Sequence, residues 1–425
     1  MGLHFECQAT KSQGMSMQSV YVATFPGTMR PRSESSDRPR LLYILTRPLF
    51  AQRFLKGQLA FLRERGYDIT VVASPEPELA VVAAQEQVTV IPIRIPRDIQ
   101  PLADVWALLR LIWLCLRLRP DIVNASMPKA ALLGLLAARL TGVPVRIYVL
   151  RGLRSETTRG LKRWILGLTE WLSSACAHRV VSVSHSLRDR YIAQDHAPAD
   201  RVTVIGHGSS NGVDAARFEA GASDRAVVQS LRRSLGITAD QQIIGFVGRL
   251  TQDKGLVDLY QAFLLVRARL PDVRLLLVGD FETGSRDLPD EVRRAVIDDE
   301  AVIVTGVVAE PAPYYGLMDM VALASHREGF PNLPLEAGAC AIPVVGVRAT
   351  GTVDAIVDGE TGLLADVGDW QGLADHIIRY LEDPQLRQRH GTAGQRRVRE
   401  SFAGQMIWNE LEQTYRDLLE LRASG

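Results

Sequence analysis

At 425 residues, with 47% hydrophobic and 23% charged residues, the chain has the balance of a soluble globular protein and is too long for one ordinary core, so two domains are expected. A formal net charge of +1 excludes a global field that would draw it to nucleic acid, and any basic function must be local. The four cysteines, Cys7, Cys115, Cys176 and Cys340, are scattered without a C-x-x-C pair, which argues against a zinc site or a disulfide framework and fits a reducing, cytoplasmic compartment.

Residues 1–38 read as a disordered extension. They are polar, carry Ser33-Glu34-Ser35-Ser36-Asp37, and lack an apolar core of signal-peptide length. Met15, Met17 and Met29 are candidates for the true translation start. From Arg40 onward, short β-rich runs alternate with helical ones, the pattern of parallel α/β units. Strands are expected at 41–45, 69–73, 89–93, 122–125, 145–150, 180–184 and 202–205. Helices are expected at 52–65, 102–119 and 159–177. The strands are nearly continuous in Val, Ile and Leu, as when both sheet faces are covered. The longest apolar stretches, 105–118 and 130–140, fall short of the roughly 20 residues of a membrane span.

A break dense in Gly, Ser and Asn follows at 206–221, which is turn and linker chemistry. A second α/β series then runs through 243–247, 275–278, 302–305, 321–324, 343–345 and 362–364. The last helix, 405–421, is amphipathic, with Ile407, Trp408, Leu411, Tyr415 and Leu418 on one side. The expected division is an extension (1–38), a first Rossmann-like domain (39–210), a second (211–404) and a C-terminal helix (405–425) that is a candidate to pack back on the first domain. Ligands of such sheets bind at the carboxyl ends of the strands. The site is therefore expected in the cleft between the domains.

Two segments of the second half carry chemistry. Gly248 and Arg249 end a strand, and Lys254 follows in Thr251-Gln252-Asp253-Lys254-Gly255. A glycine permits close approach, and an arginine fork with a lysine point charge suits a diphosphate. The second segment is Ser325-His326-Arg327-Glu328-Gly329-Phe330-Pro331-Asn332-Leu333-Pro334-Leu335-Glu336-Ala337. Glu328 lies in a loop with free backbone amides, and Glu336 lies in the helix that Pro331 or Asn332 opens. A carboxylate accepts hydrogen bonds from vicinal sugar hydroxyls without a metal. An unpaired Glu336 in so apolar a helix would be costly. The turns around 346–352 and 358–363 read as structural.

The order strand-G-R-x-x-x-x-K-G, S-x-x-E-G-F-P-N-x-x-x-E-A, P-V-V and D-G-x-T-G-L resembles the retaining family 4 glycosyltransferases of the GT-B fold, from about residue 40 to the end. The first half is similar to capsule, exopolysaccharide or lipid-linked-oligosaccharide members, in Gln58-Leu59-x-x-Leu62-x-x-x-Gly66-Tyr67 and Gly208-Ser209-Ser210-Asn211-Gly212-Val213-Asp214-x-x-x-Phe218. The resemblance implies an α/β protein of two doubly wound domains that moves a sugar from a nucleotide diphosphate sugar, usually UDP-linked, to a lipid-diphosphate or glycan acceptor.

On the matching positions it implies that Arg249 and Lys254, past Gly248, hold the donor diphosphate. Glu328 sits by the transferred sugar. Gly329, Phe330, Pro331, Asn332 and Leu333 form the backbone cradle, and Glu336 grips the ribose. No cofactor or metal is expected, and no Asp-x-Asp occurs in the chain.

Two positions depart from the family. The first strand-to-helix loop reads Thr46-Arg47-Pro48-Leu49-Phe50 instead of carrying a glycine pair, and Arg151 stands where many members have histidine. Arg47 and Arg151 are the candidates on the acceptor side. Basic, tryptophan-bearing stretches at 102–119 and 159–171 are candidates for contact with the inner membrane leaflet. A nucleotide-sugar 2-epimerase of the same fold and a non-catalytic sugar-nucleotide binder are the alternative readings.

Overall fold

A computed structural model describes residues 38–96, 99–158, 160–281 and 288–424. The expected extension, the candidate starts and Cys7 lie outside the described residues.

Seven strands form the first sheet: β1 (Arg40–Ile44), β2 (Asp68–Ala73), β3 (Thr89–Pro92), β4 (Ile122–Ser126), β5 (Val145–Leu150), β6 (Arg179–Ser182) and β7 (Val202–Val204). All pair in parallel, in the order β3-β2-β1-β4-β5-β6-β7. Six more form the second: β8 (Ile243–Val247), β9 (Arg274–Val278), β10 (Val302–Val304), β11 (Met320–Leu323), β12 (Val344–Val347) and β13 (Gly362–Ala365). Their order is β10-β9-β8-β11-β12-β13, again parallel. These are two Rossmann-like domains, and each of the thirteen expected strands is present, shifted at its ends by at most two residues. Leu41, Leu42, Tyr43 and Ile44 of β1 are all buried, as a strand with helices on both faces requires. The strand order reverses between β1 and β4 and between β8 and β11, which opens a crevice at each set of carboxyl ends.

Two expectations are corrected. The helix expected at 52–65 is two helices, Pro48–Phe54 and Gln58–Glu64. Gly57 breaks it with φ +77°, and a Cβ there would meet the Trp408 ring at 2.7 Å. The linker expected at 206–221 is shorter, because Ala215–Ser223 is helical. Asp214 caps that helix through the Arg217 amide, and Phe218 is buried against the Tyr315 ring at 5.7 Å. A cap and one aromatic anchor outweigh the local turn propensity of the small residues.

The last helix, Gly404–Ala423, packs on Gln58–Glu64 and β5. Its Tyr415 hydroxyl lies 2.9 Å from that of Tyr43 and accepts from Asn124 Nδ2 at 2.6 Å, all buried. Buried hydroxyls demand such partners, so this triad fixes the helix on the sheet.

A buried carboxyl makes stability pH-dependent. Glu170, in helix Gly160–Cys176, accepts from the Tyr148 hydroxyl at 2.7 Å, and burial raises its pKa to about 7. The unfolded chain ionises it near the ordinary 4.5. The stability it contributes is therefore full below that value and is lost as pH rises through about 7. Glu170→Gln keeps the Tyr148 bond and cannot ionise. It is expected to gain roughly 1–3 kcal/mol relative to the parent between pH 5 and pH 8, read by denaturant melts at both values. Parallel curves would exclude an ionising Glu170.

Candidate functional site

The site is built from loops at the carboxyl ends of β8 and β11, closed by loops from β5 and β6. After β8 the chain passes Gly248 and Arg249, turns through a 3₁₀ segment at Gln252–Lys254, and enters helix Leu256–Arg269. Gly255 makes this turn possible, with φ +71° and a Cβ position only 1.9 Å from the Ala324 carbonyl oxygen at the end of β11. That contact sets the Lys254 turn directly beside the loop that leaves β11.

In that loop Glu328 Oε1 accepts from Lys254 Nζ at 2.5 Å. The pair is partly buried, which strengthens the interaction and holds the carboxylate without further screening. The Glu328 amide donates to the Thr350 carbonyl at 3.2 Å. His326 Nε2 lies 2.7 Å from Asp258 Oδ2, a contact that raises the imidazole pKa. Arg249 is partly buried at the mouth of β8. Helix Leu333–Ala339 starts from Asn332, with Pro334 in its first turn, where a missing N–H costs nothing.

An unpaired Glu336 would be costly in so apolar a helix, and the structure gives it a partner. Tyr315 donates to its Oε2 at 2.6 Å, and burial raises its pKa despite that bond. Sequence reading missed Tyr315 because it lies 21 residues away on another helix.

The first domain meets this loop mostly through backbone. Gly329 faces Arg151, and a Cβ on it would sit 2.0 Å from the Arg151 carbonyl oxygen. Ser184 Oγ donates to the Gly329 carbonyl at 2.7 Å, and Arg327 Nη1 donates to the Leu153 carbonyl at 2.8 Å. Asp354 of the second domain accepts from the amides of His185 and Ser186 at 2.9 and 3.2 Å, and also from the Ser186 hydroxyl. It thereby caps helix His185–Ala193 from across the cleft. Thr350 Oγ1 donates to Glu156 at 3.1 Å, so the 346–352 turn, read as purely structural, belongs to this contact.

The two acceptor-side candidates part company. Arg47 precedes helix Pro48–Phe54 at the end of β1 and pairs with Glu76 at 3.1 Å. Arg151 turns its guanidinium into the first domain, 5.7 Å from the Phe54 ring centroid. Its Nη1 is buried without a hydrogen-bond partner, and burial lowers the pKa to about 10. The backbone of Arg151 faces the cleft, while its charge lies beside Tyr43 and Tyr415.

Two Rossmann-like domains facing one cleft have the arrangement of the GT-B fold. Residues 241–383 match the family described as glycosyl transferases group 1, and residues 51–208 match the glycosyl transferase 4-like domain. The capsular polysaccharide biosynthesis glycosyltransferase CapM of Staphylococcus aureus is 36% identical over 86% of this chain and 94% of its own. The N-acetyl-alpha-D-glucosaminyl L-malate synthase of Bacillus anthracis is 32% identical over 46% of this chain and 50% of its own. The chain belongs to the family 4 glycosyltransferases, of the capsule type. Its fold is similar to HepE of Anabaena, solved with UDP and glucose (TM-score 0.77, 21% identity, 89% of this chain and all of that one). It is also similar to sucrose-phosphate synthase of Thermosynechococcus elongatus (TM-score 0.73, 20% identity, 90% of this chain and all of that one).

Proposed function

We propose that the chain is a retaining, metal-independent transferase that moves a sugar from a UDP-sugar to a lipid-linked or polysaccharide acceptor during surface-glycan synthesis. It acts at the cytoplasmic face of the membrane as a peripheral protein. The observation that carries the donor reading is the Lys254–Glu328 pair, held at the mouth of two adjacent strands beside the Gly329 loop. UDP and glucose bound to HepE, and capsule synthesis in the name of CapM, support the donor and pathway class.

In this reading Gly248 leaves room for the diphosphate, Arg249 and Lys254 hold it, and Glu328 accepts a hydroxyl of the transferred sugar. The amides of Gly329, Phe330, Asn332 and Leu333 line the same loop, and Pro331, lacking an N–H, stiffens it. Glu336, kept in place by Tyr315, takes the ribose hydroxyls. The acceptor oxygen bonds to the anomeric carbon on the face from which the diphosphate departs. As the bond from that carbon to the phosphate oxygen breaks, the leaving phosphate oxygen takes the acceptor's proton. Two cations beside the leaving group stabilise the charge that develops there.

Thermal melts with UDP, GDP, ADP and dTDP test the donor assignment. UDP is expected to stabilise the protein by about 2.7 kcal/mol at a hundredfold excess over Kd. EDTA should leave that shift in place, and Glu336→Gln should shrink it. Stabilisation by none of the four would refute the donor site.

A further inference from the structure

Helices Pro101–Leu118 and Gly160–Cys176 expose apolar side chains in unbroken stripes. On the first, Leu102, Trp106, Leu109, Trp113 and Leu116 recur at i, i+4 and i+7 spacing and all face solvent. On the second, Leu161, Trp164, Leu168 and Trp171 do the same. Four of the chain's six tryptophans lie here, exposed by 60% (Trp106), 49% (Trp113), 65% (Trp164) and 50% (Trp171). Helix Pro101–Leu118 already buries an opposite stripe, Ala107, Leu111 and Leu114, so core packing does not account for its outer one. Helix Gly160–Cys176 is buried only towards its C-terminal end, at Glu170, Ser173, Ser174 and Cys176.

Both stripes face the same way. The crossovers β3→β4 and β5→β6 run in the same direction across the sheet, and right-handed connections put their helices on one face of it. Helix Pro128–Leu140 lies between them and touches both. It is built largely from Ala, Gly and Leu.

Charge distinguishes the occupant. Arg110 and Arg117 lie over the rings of Trp106 and Trp113 at 5.4 and 5.2 Å, and Arg119, Lys162 and Arg163 are exposed at the helix ends. The three helices hold two carboxylates. Asp104 is taken up by Lys129 at 2.8 Å, and Glu170 is buried. A symmetric contact with a second copy would set these cations against one another. An anionic lipid surface neutralises them and takes the tryptophans at its interface.

The stripe also reaches the cleft. Helix Gly160–Cys176 starts shortly after Leu153 and Glu156, which bond to Arg327 and Thr350 of the second domain. Its Leu161–Trp164 end is thus at the lip of the site.

We propose that this two-helix face docks the enzyme on an anionic lipid leaflet and sets the lip of the cleft at headgroup level. The proposal rests on the lipid-linked-acceptor reading and specifies the surface that reading requires. Flotation of the full chain with phosphatidylcholine vesicles, with and without phosphatidylglycerol, tests it, alongside tryptophan fluorescence. Binding is expected only with phosphatidylglycerol, with a blue shift in emission and weakening at high salt. Trp106→Ala/Trp113→Ala and Arg110→Glu/Arg117→Glu, and likewise Trp164→Ala/Trp171→Ala, should each weaken it by about tenfold or more. All three pairs lie outside the core and should keep the parental melting temperature and UDP stabilisation, so failure here is separable from failure of the donor site. Equal binding to both vesicle types, no binding to either, or a lipid-free dimer that dissociates on the tryptophan substitutions would overturn the proposal.

Discussion

Lys254→Ala is expected to lower kcat/KM for the nucleotide sugar by about 10–150-fold, the loss of one charge-assisted phosphate contact of roughly 1.5–3 kcal/mol felt in the transition state. The lysine's value there comes from its position. Gly255 forces the turn against Ala324, and Glu328 holds the ammonium at 2.5 Å before any donor arrives. A positioned charge needs no reorganisation when the leaving group develops its own. Glu328→Gln separates the two roles. It keeps the lysine but removes the carboxylate, so kcat should fall while UDP affinity measured by calorimetry stays within a few-fold of the parent. Unchanged kinetics in Lys254→Ala would remove the pair from the mechanism.

Gly329→Ala should have an effect of similar size for a different reason. Its Cβ would lie 2.0 Å from the Arg151 carbonyl oxygen and 3.2 Å from Val183 Cγ2, both in the first domain. The clash is with backbone, so the loop or the domain must move. Moving it stretches the Ser184–Gly329 bond and the contact between Asp354 and the start of helix His185–Ala193. A displacement near 1 Å costs on the order of a hundredfold in rate when reacting groups must be aligned. The clash is confined to the interface between the domains, so both cores keep their packing. The expected result is a large fall in kcat, with a melting temperature without nucleotide within a few degrees of the parent. Full activity would show that the Arg151–Gly329 approach is not needed for turnover.

These two residues also mark how far the sequence can be read. Lys254 and Glu328 were legible because each falls in a short segment just past an apolar strand, where a charged side chain has a local reason to be. Gly329 was legible as part of a loop, but its neighbour across the cleft was not. Arg151 had been assigned by its charge, and the charge turned inward towards Phe54, Tyr43 and Tyr415 while the carbonyl took the place at the cleft. Glu336 drew attention as a carboxylate in an apolar helix, yet the partner that makes it tolerable, Tyr315, carries no signal at its own position.

The alternation of Val, Ile and Leu runs with helical segments determined by itself that the chain forms two parallel α/β sheets, because burial on both faces leaves strands few other compositions. Gly248, Gly255 and the E-G-F-P-N loop likewise pointed to the donor half of the proposed site, since close approach selects glycine locally. Only the tertiary structure decided that Trp408 splits the 52–65 helix at Gly57, that the last helix returns to the first sheet through Tyr415, and that Asp354 caps a helix in the other domain. Each of those outcomes depends on groups 150 or more residues apart, several of them backbone atoms that every residue carries, and no local pattern of side chains encodes such a meeting.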